Sequence, residues 1–129
     1  MNASRRRGEV RVGRVYEGRT DGDDFRVLVD RLWPRGLTKA HADLDEWRKE
    51  LAPTTQLRRW YAHDPERFVE FSRRYRAELS SGLQAEALAD LSELIATGQA
   101  VTLLTAARDP AMSEAAVLAD LLDSSTSRS

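Results

Sequence analysis

Ala100-Val101-Thr102-Leu103-Leu104-Thr105-Ala106, followed by Ala107-Arg108-Asp109-Pro110, is the stretch that decides the fold. Its first seven residues are almost continuously apolar or β-branched, the pattern of a strand covered on both faces in a parallel sheet. Asp109 then offers an N-cap side chain, and Pro110 fits a first helical position, where a missing N–H leaves nothing unpaired. Ala115, Val117, Leu118, Leu121 and Leu122 continue at helical spacing. A buried strand, a tight turn and a capped helix make one α/β unit, and in such units ligands collect beyond the carboxyl ends of the strands.

Working outward, Val10-Arg11-Val12-Gly13-Arg14-Val15-Tyr16 alternates with the period of a half-buried strand and runs into a turn-rich stretch from Glu17 to Asp24. Phe25-Arg26-Val27-Leu28-Val29-Asp30 is a second strand, stopped by Trp33-Pro34-Arg35-Gly36. Helices follow. Asp43-Leu44-Asp45-Glu46 fits a capping box ahead of Leu44, Trp47 and Leu51, with Pro53 closing that segment. Thr54 or Thr55 caps a short helix carrying Leu57, Trp60 and Tyr61, and Asp64-Pro65 opens one whose stripe is Phe68, Phe71, Tyr75 and Leu79. Ser80-Ser81-Gly82 breaks it, and Leu83, Ala87, Leu91, Leu94 and Ile95 form the next stripe, ending at Gly98. The expected fold is α/β: a compact single domain over 10–123 with a mainly parallel sheet flanked by helices. Residues 1–9 read as a disordered arm and 124–129 as a frayed tail.

A length of 129 residues suits one core, and 41% hydrophobic with 32% charged residues suits a folded, well-solvated domain. No apolar run nears the roughly 20 residues that span a bilayer, and no signal-peptide pattern follows the basic start, so a cytoplasmic protein is expected. The absence of cysteine excludes disulfides, thiolate nucleophiles and Cys-ligated zinc; two histidines do not build a His-rich metal site, and no cofactor motif is present. Residues 1–80 hold 18 basic and 14 acidic side chains, and 81–129 hold 2 and 7. Eighteen of the 20 basic residues are arginine, whose planar fork grips phosphate or carboxylate at two points. A pI near 6.1 argues against broad nucleic-acid binding and leaves room for a local arginine pocket.

Three polar clusters could carry chemistry. In Asp30-Arg31-Leu32-Trp33-Pro34-Arg35-Gly36 an acid, two guanidinium groups and a rigid aromatic share one loop, which suits an anion beside a stacking surface. The plainer account pairs Asp30 with an arginine, places Trp33 at the core edge and makes Pro34-Gly36 a turn. Ala106-Ala107-Arg108-Asp109 combines small residues, Arg108 and a helix start, although Asp109 is explained by capping alone. It lacks the glycines and Lys-Ser/Thr pair of a P-loop. In Arg58-Arg59-Trp60-Tyr61-Ala62-His63-Asp64, His63 is the candidate acid or base. His41 reads as solvated, Tyr75 as core, and Glu78 as able to reach the same space as His63.

These residues resemble the bacterial domain-of-unknown-function family 488, in its YeaO-like branch. The resemblance runs through Arg14-Val15-Tyr16, Arg26 to Gly36, Leu51 to Trp60, His63-Asp64-Pro65, Phe71 to Leu79, Val101 to Asp109 and Ala116-Val117-Leu118, covering about residues 10–123. It implies a compact α/β domain and no established activity, cofactor or substrate. Members of the family often carry Asn-His before the last helix, where this chain has Ser113-Glu114. Any chemistry of that histidine is therefore in doubt here; Glu114 could accept a proton or pair with an arginine, and a solvated first-turn glutamate near the helix dipole is the plainer reading.

The functional expectation is an anionic small-ligand site, nucleotide- or phosphate-like, at the strand ends. Arg31, Arg35, Arg58 and Arg108 hold the charge and Trp33 stacks against a ring. Asp30 or His63 would move a proton if the site performs metal-independent hydrolysis or transfer. The alternative is a nucleic-acid or protein interaction module using the arginine-rich half and an exposed Trp60-Tyr61 surface. A structural or oligomer-forming role is the third.

Overall fold

The computed structural model describes residues 7–19 and 25–127, the last four as backbone. It is an α/β fold on a four-stranded, wholly parallel sheet. Strands β1 (Val10–Arg14), β2 (Phe25–Leu28), β3 (Glu46–Trp47) and β4 (Val101–Thr105) lie in the order β1-β4-β2-β3. β4 is central, with Val10 opposite Val101 on one side and Phe25 opposite Val101 on the other. All five of its residues are buried, the double coverage that its composition predicts.

Alternation sorts the sheet into two faces. Val27, Val29, Val101 and Leu103 join the main core with Leu51, Phe71, Tyr75, Leu91, Ile95 and Leu118. These come largely from helices α2 (Thr55–Tyr61), α3 (Phe68–Glu78), α4 (Gly82–Ala96) and α5 (Glu114–Ser127). Leu28 and Leu104 point the other way, into a smaller cluster with Val15, Leu37 and Ala42, the last from the short helix α1 (Lys39–Ala42). Trp33 and Leu44 pack at its margin. Each large apolar side chain buried this way contributes roughly 1.5–3 kcal/mol of transfer free energy.

Several expectations hold in detail. Thr54 caps α2, its Oγ1 accepting the Leu57 N–H at 3.2 Å, and Asp64 accepts the Glu66 N–H at 3.0 Å. The capping box at Asp43–Glu46 does not form. Asp43 sits in the left-handed region at φ 48° and ends α1, whose N-cap is Thr38. The segment's polar groups turn to β2 instead: the Asp45 carboxylate accepts the Arg26 N–H at 2.8 Å, and the Asp45 N–H reaches the Arg26 carbonyl at 2.9 Å. Sheet pairing at an open edge outweighs a local helix signal here. Leu83, placed in the α4 stripe, is 71% exposed, since it lies in the first turn beyond the core.

The last helix also starts later than its proline suggests. Asp109-Pro110 opens only a 3-10 turn, Pro110–Met112, before Ser113 caps α5 by accepting the Ala115 N–H at 3.2 Å. That turn is pinned from outside, because the Tyr61 hydroxyl donates to the Met112 carbonyl at 2.5 Å. At the chain start, residues 1–6 of the expected arm lie outside the described residues. Gly8 N–H bonds the Gly98 carbonyl at 3.1 Å, and the Glu9 carbonyl accepts from Val101 at 2.8 Å. The α5 backbone continues through Ser127, into the stretch read as tail. Residues 20–24 of the expected turn also lie outside the described residues.

Candidate functional site

The carboxyl ends of β2 and β4 open into a cavity of about 380 Å³, within the range of small-molecule sites. The loops after β2 and β4, residues of α2 and α3 and the start of α5 line it. The chain leaves β2 through Asp30, turns over Trp33-Pro34, and is redirected at Gly36, whose φ of 68° favours a residue without Cβ. The loop is braced by Trp33 Nε1 donating to the Leu37 carbonyl at 2.8 Å and Trp47 Nε1 donating to the Asp30 carbonyl at 2.7 Å. The two indoles meet edge to face at 5.4 Å. Trp33 therefore packs at the edge of the smaller core and also lines the cavity.

Asp30 joins the ends of the two central strands. Its Oδ2 accepts the Ala106 N–H at 2.8 Å, while Oδ1 is buried and receives no conventional donor. The carboxyl facing it is Glu114, the first residue of α5, to which Thr105 Oγ1 also extends at 3.4 Å. Burial pushes the Glu114 carboxyl well above the usual carboxylate range, and the hydrogen bond and negative charge of Asp30 add to the shift. The buried Asp30 Oδ1 and the raised Glu114 carboxyl thus stand together on the cavity wall. The solvated glutamate expected at this position is thus corrected. Glu114 lines the cavity beside Asp30.

Arg31, Arg58 and His63 line the same cavity as Asp30 and Trp33. Arg31 donates through Nε to the Pro53 carbonyl and through Nη2 to the Ala52 carbonyl, each at 3.2 Å. Arg58 and Arg59 project from α2 and are exposed. Arg108 lines an adjoining cavity of about 680 Å³ with Arg14 and Tyr16; the two cavities share Tyr61, His63, Ala106 and Ala107. Arg35 lines neither cavity. It is exposed, and its carbonyl accepts from the Tyr16 hydroxyl at 2.8 Å.

His63 is exposed at the rim, with φ 57° and its ring 6.0 Å from that of Tyr61. No hydrogen bond joins it to Asp30 among the described residues, so the two candidate proton carriers share a cavity without meeting. His41, read as solvated, is exposed but bonds the Tyr16 carbonyl through Nε2 at 2.8 Å. Tyr75 is core, as expected: it is fully buried and its hydroxyl donates to the Leu51 carbonyl. Burial holds its phenol well above the ordinary range. Glu78 does not reach His63's space. It accepts the Thr54 N–H at 3.0 Å and the Thr54 hydroxyl at 2.7 Å, anchoring the start of α2.

The aromatic surface imagined at Trp60-Tyr61 is absent. Tyr61 is 4% exposed and stacks on Phe71 at 4.2 Å. Trp60 is half-buried, with the guanidinium groups of Arg74 and Arg67 at 4.3 and 5.3 Å from its ring centre. Among the described residues no three His, Asp or Glu side chains cluster as metal ligands, and no helix is long and apolar enough to cross a membrane.

Compared with known proteins, residues 9–129 match the DUF488-N3i family model, described as the inactive DUF488-N3 subclade, and the chain belongs to that family. It is 50% identical over 119 residues to the uncharacterized protein Rv3073c of Mycobacterium tuberculosis strain H37Rv, covering 92% of this chain and 97% of that one. It is 41% identical over 116 residues to the uncharacterized protein YeaO of Escherichia coli K12, covering 89% and 97% respectively. The likeness expected from the sequence motifs is borne out. No solved structure matches significantly.

Proposed function

We propose that the chain binds an anionic small molecule, nucleotide- or phosphate-like, in the cavity at the strand ends. One contrast carries this reading. Arg19, Arg48, Arg67, Arg73, Arg74 and Arg76 each meet a carboxylate. Arg31, Arg58 and Arg59 on the main cavity, and Arg108 on its neighbour, meet none among the described residues. Away from the cavities, Arg7 and Arg35 also meet no carboxylate among the described residues; Arg7 donates to the Thr97 carbonyl at 2.9 Å, and Arg35 lies on an exposed loop. Guanidinium groups converging on a concave, partly aromatic wall suit a ligand that brings its own negative charge.

Binding without turnover is the preferred form. The matching family is described as inactive, and His63 stands apart from Asp30. Metal-independent hydrolysis or transfer takes second place. An interaction module falls behind both, because its aromatic surface is covered by Arg67, Arg74 and Phe71.

The test is a thermal-shift series with sulfate, pyrophosphate, nucleoside monophosphates, sugar phosphates and short oligonucleotides, using Arg58→Ala, Arg108→Ala and Arg35→Ala. A ligand at about a hundred times its dissociation constant adds roughly 2.7 kcal/mol and moves the midpoint by several degrees. The shift is lost in Arg58→Ala and kept in Arg35→Ala. A shift indifferent to Arg58, or a response to oligonucleotides alone, overturns the reading. Product formation from a shifting phosphate ester would move the assignment to an enzyme.

A further inference from the structure

The Asp30–Glu114 pair is unexplained by anion binding alone, for it sets negative charge on the wall of a cavity otherwise furnished with arginines. Its geometry indicates how the two coexist. Asp30 Oδ2 is committed to the Ala106 N–H, its buried Oδ1 has no donor among the described residues, and the Glu114 carboxyl, which lines the same cavity wall, is placed to offer it a proton. With that proton the pair bears one negative charge, and without it two charges face each other and the ligand. We propose that this proton is a co-ligand of the site: the cavity accepts an anion while Asp30 and Glu114 share it, and releases the anion when Glu114 ionises.

The inference rests on the anion-binding reading and adds its regulation. Like charges in a poorly solvated cavity repel more strongly than in water, so an anion favours the protonated pair. Linkage makes the effect reciprocal: the proton that strengthens anion binding is itself held more tightly by the bound complex.

The surrounding groups leave few rivals for this role. Arg31, from the β2 loop, and Arg58 and Arg59, from α2, stay charged throughout. Burial raises the phenols of Tyr61 and, more strongly, Tyr75, so both remain neutral. Thr105 brings only a hydroxyl. Glu78 is tied to Thr54 and Gln84, and Asp64 to the Glu66 N–H and Arg67. Asp109, on the adjoining cavity, caps its own turn through the Ala111 N–H. His63, at the rim, is the other group able to exchange a proton as an anion arrives.

The experiment is titration calorimetry of the full chain with sulfate and with benzenesulfonate, neither of which titrates near neutrality, from mildly acid to alkaline pH. Two buffers of different ionisation enthalpy report proton uptake. The wild type loses affinity about tenfold as pH rises through the pair's ionisation and takes up protons on binding in that range. Glu114→Gln, which keeps the shape of the protonated acid, shows neither effect. His63→Gln retains both, whatever its affinity at acid pH. Asp30→Asn is the second neutral variant should Glu114→Gln fail to fold.

Wild-type binding without pH dependence or proton uptake overturns the inference and leaves the anion-binding reading standing. A dependence that disappears in His63→Gln and persists in Glu114→Gln also overturns it, assigning the proton to His63. No binding of either probe at any pH overturns both.

Discussion

Asp30, just beyond β2, and Glu114, the first residue of α5, face each other at the end of the sheet, where burial and the neighbouring Asp30 carboxylate raise the Glu114 carboxyl well above the ordinary range. The pair ties three elements together, since Asp30 also holds the Ala106 N–H after β4. It links stability to pH as well as forming part of the cavity wall.

The pH effect has a definite sign. Glu114 titrates near 4.5 when unfolded and well above that when folded, so the native state binds the extra proton in the interval between. Stability therefore falls as pH rises through that interval. Glu114→Gln removes the slope: its melting temperature matches the wild type near the lower limit and exceeds it increasingly toward alkaline pH. Thermal melts across the range check this, and parallel curves would refute it.

Removing the Asp30 carboxyl tests its bond to β4. Asp30→Ala leaves the Ala106 N–H unpaired and Glu114 without its partner, at a cost of roughly 1–3 kcal/mol. Chemical denaturation measures the loss. Hydrogen exchange at Ala106 accelerates in the same variant.

Glu78 is expected to act on the cavity from a distance. Its bonds to Thr54 hold the start of α2, the helix that carries Arg58 and Arg59. Glu78→Ala lowers stability by about 1–3 kcal/mol and weakens anion binding without removing any cavity-lining side chain. Denaturation together with calorimetry separates it from Arg58→Ala, which weakens binding at nearly unchanged stability.

Tyr75→Phe isolates a buried hydroxyl. The Leu51 carbonyl loses its donor while the aromatic packing remains, so destabilisation of about 1–2 kcal/mol is expected, with anion affinity unchanged. Urea unfolding gives the value, and an unchanged midpoint would show that water replaces the bond.

Glu70 shows the opposite pH behaviour at the surface. Arg73 and Arg74 donate to its carboxylate at 2.5 and 2.7 Å and hold its pKa down to about 2. Its stabilising contribution is present above the ordinary carboxylate range and is lost as pH falls toward about 2. Nuclear magnetic resonance titration of Glu70 in Arg73→Ala and Arg74→Ala, where the value rises toward normal, checks it. Added salt should diminish the shift, because the pair is exposed.

Much of the fold is written locally. The apolar run at Val101–Thr105 defines a doubly covered strand, and Phe71, Tyr75 and Leu79 mark the buried face of the helix after Asp64-Pro65, because periodicity records which side of an element is dry. The gathering of polar residues was partly legible for the same reason: the loop after β2 brings Asp30, Arg31 and Trp33 to the carboxyl end of the sheet, where Arg58 and His63, from α2 and the turn after it, line the same cavity. The edge strand Glu46–Trp47 was not legible, since its partner is β2 and its own residues carry a helix-start pattern.

What Glu114 faces is not written locally. Its place in the first turn of the last helix is as expected, but that helix starts at Glu114 itself, after the 3-10 turn Pro110–Met112, and the carboxyl lies beside Asp30 rather than in solvent. Sequence likewise records a side chain's chemistry but not what lies over it: Trp60 is half-buried beneath Arg67 and Arg74, and Arg35 is exposed outside both cavities. By itself the sequence determined the α/β class, the buried strand and the edge where polar groups gather, all products of short-range periodicity and capping. Only the tertiary structure decided which arginines lack carboxylates and which two acids lie together, because those depend on distances between segments far apart in the chain.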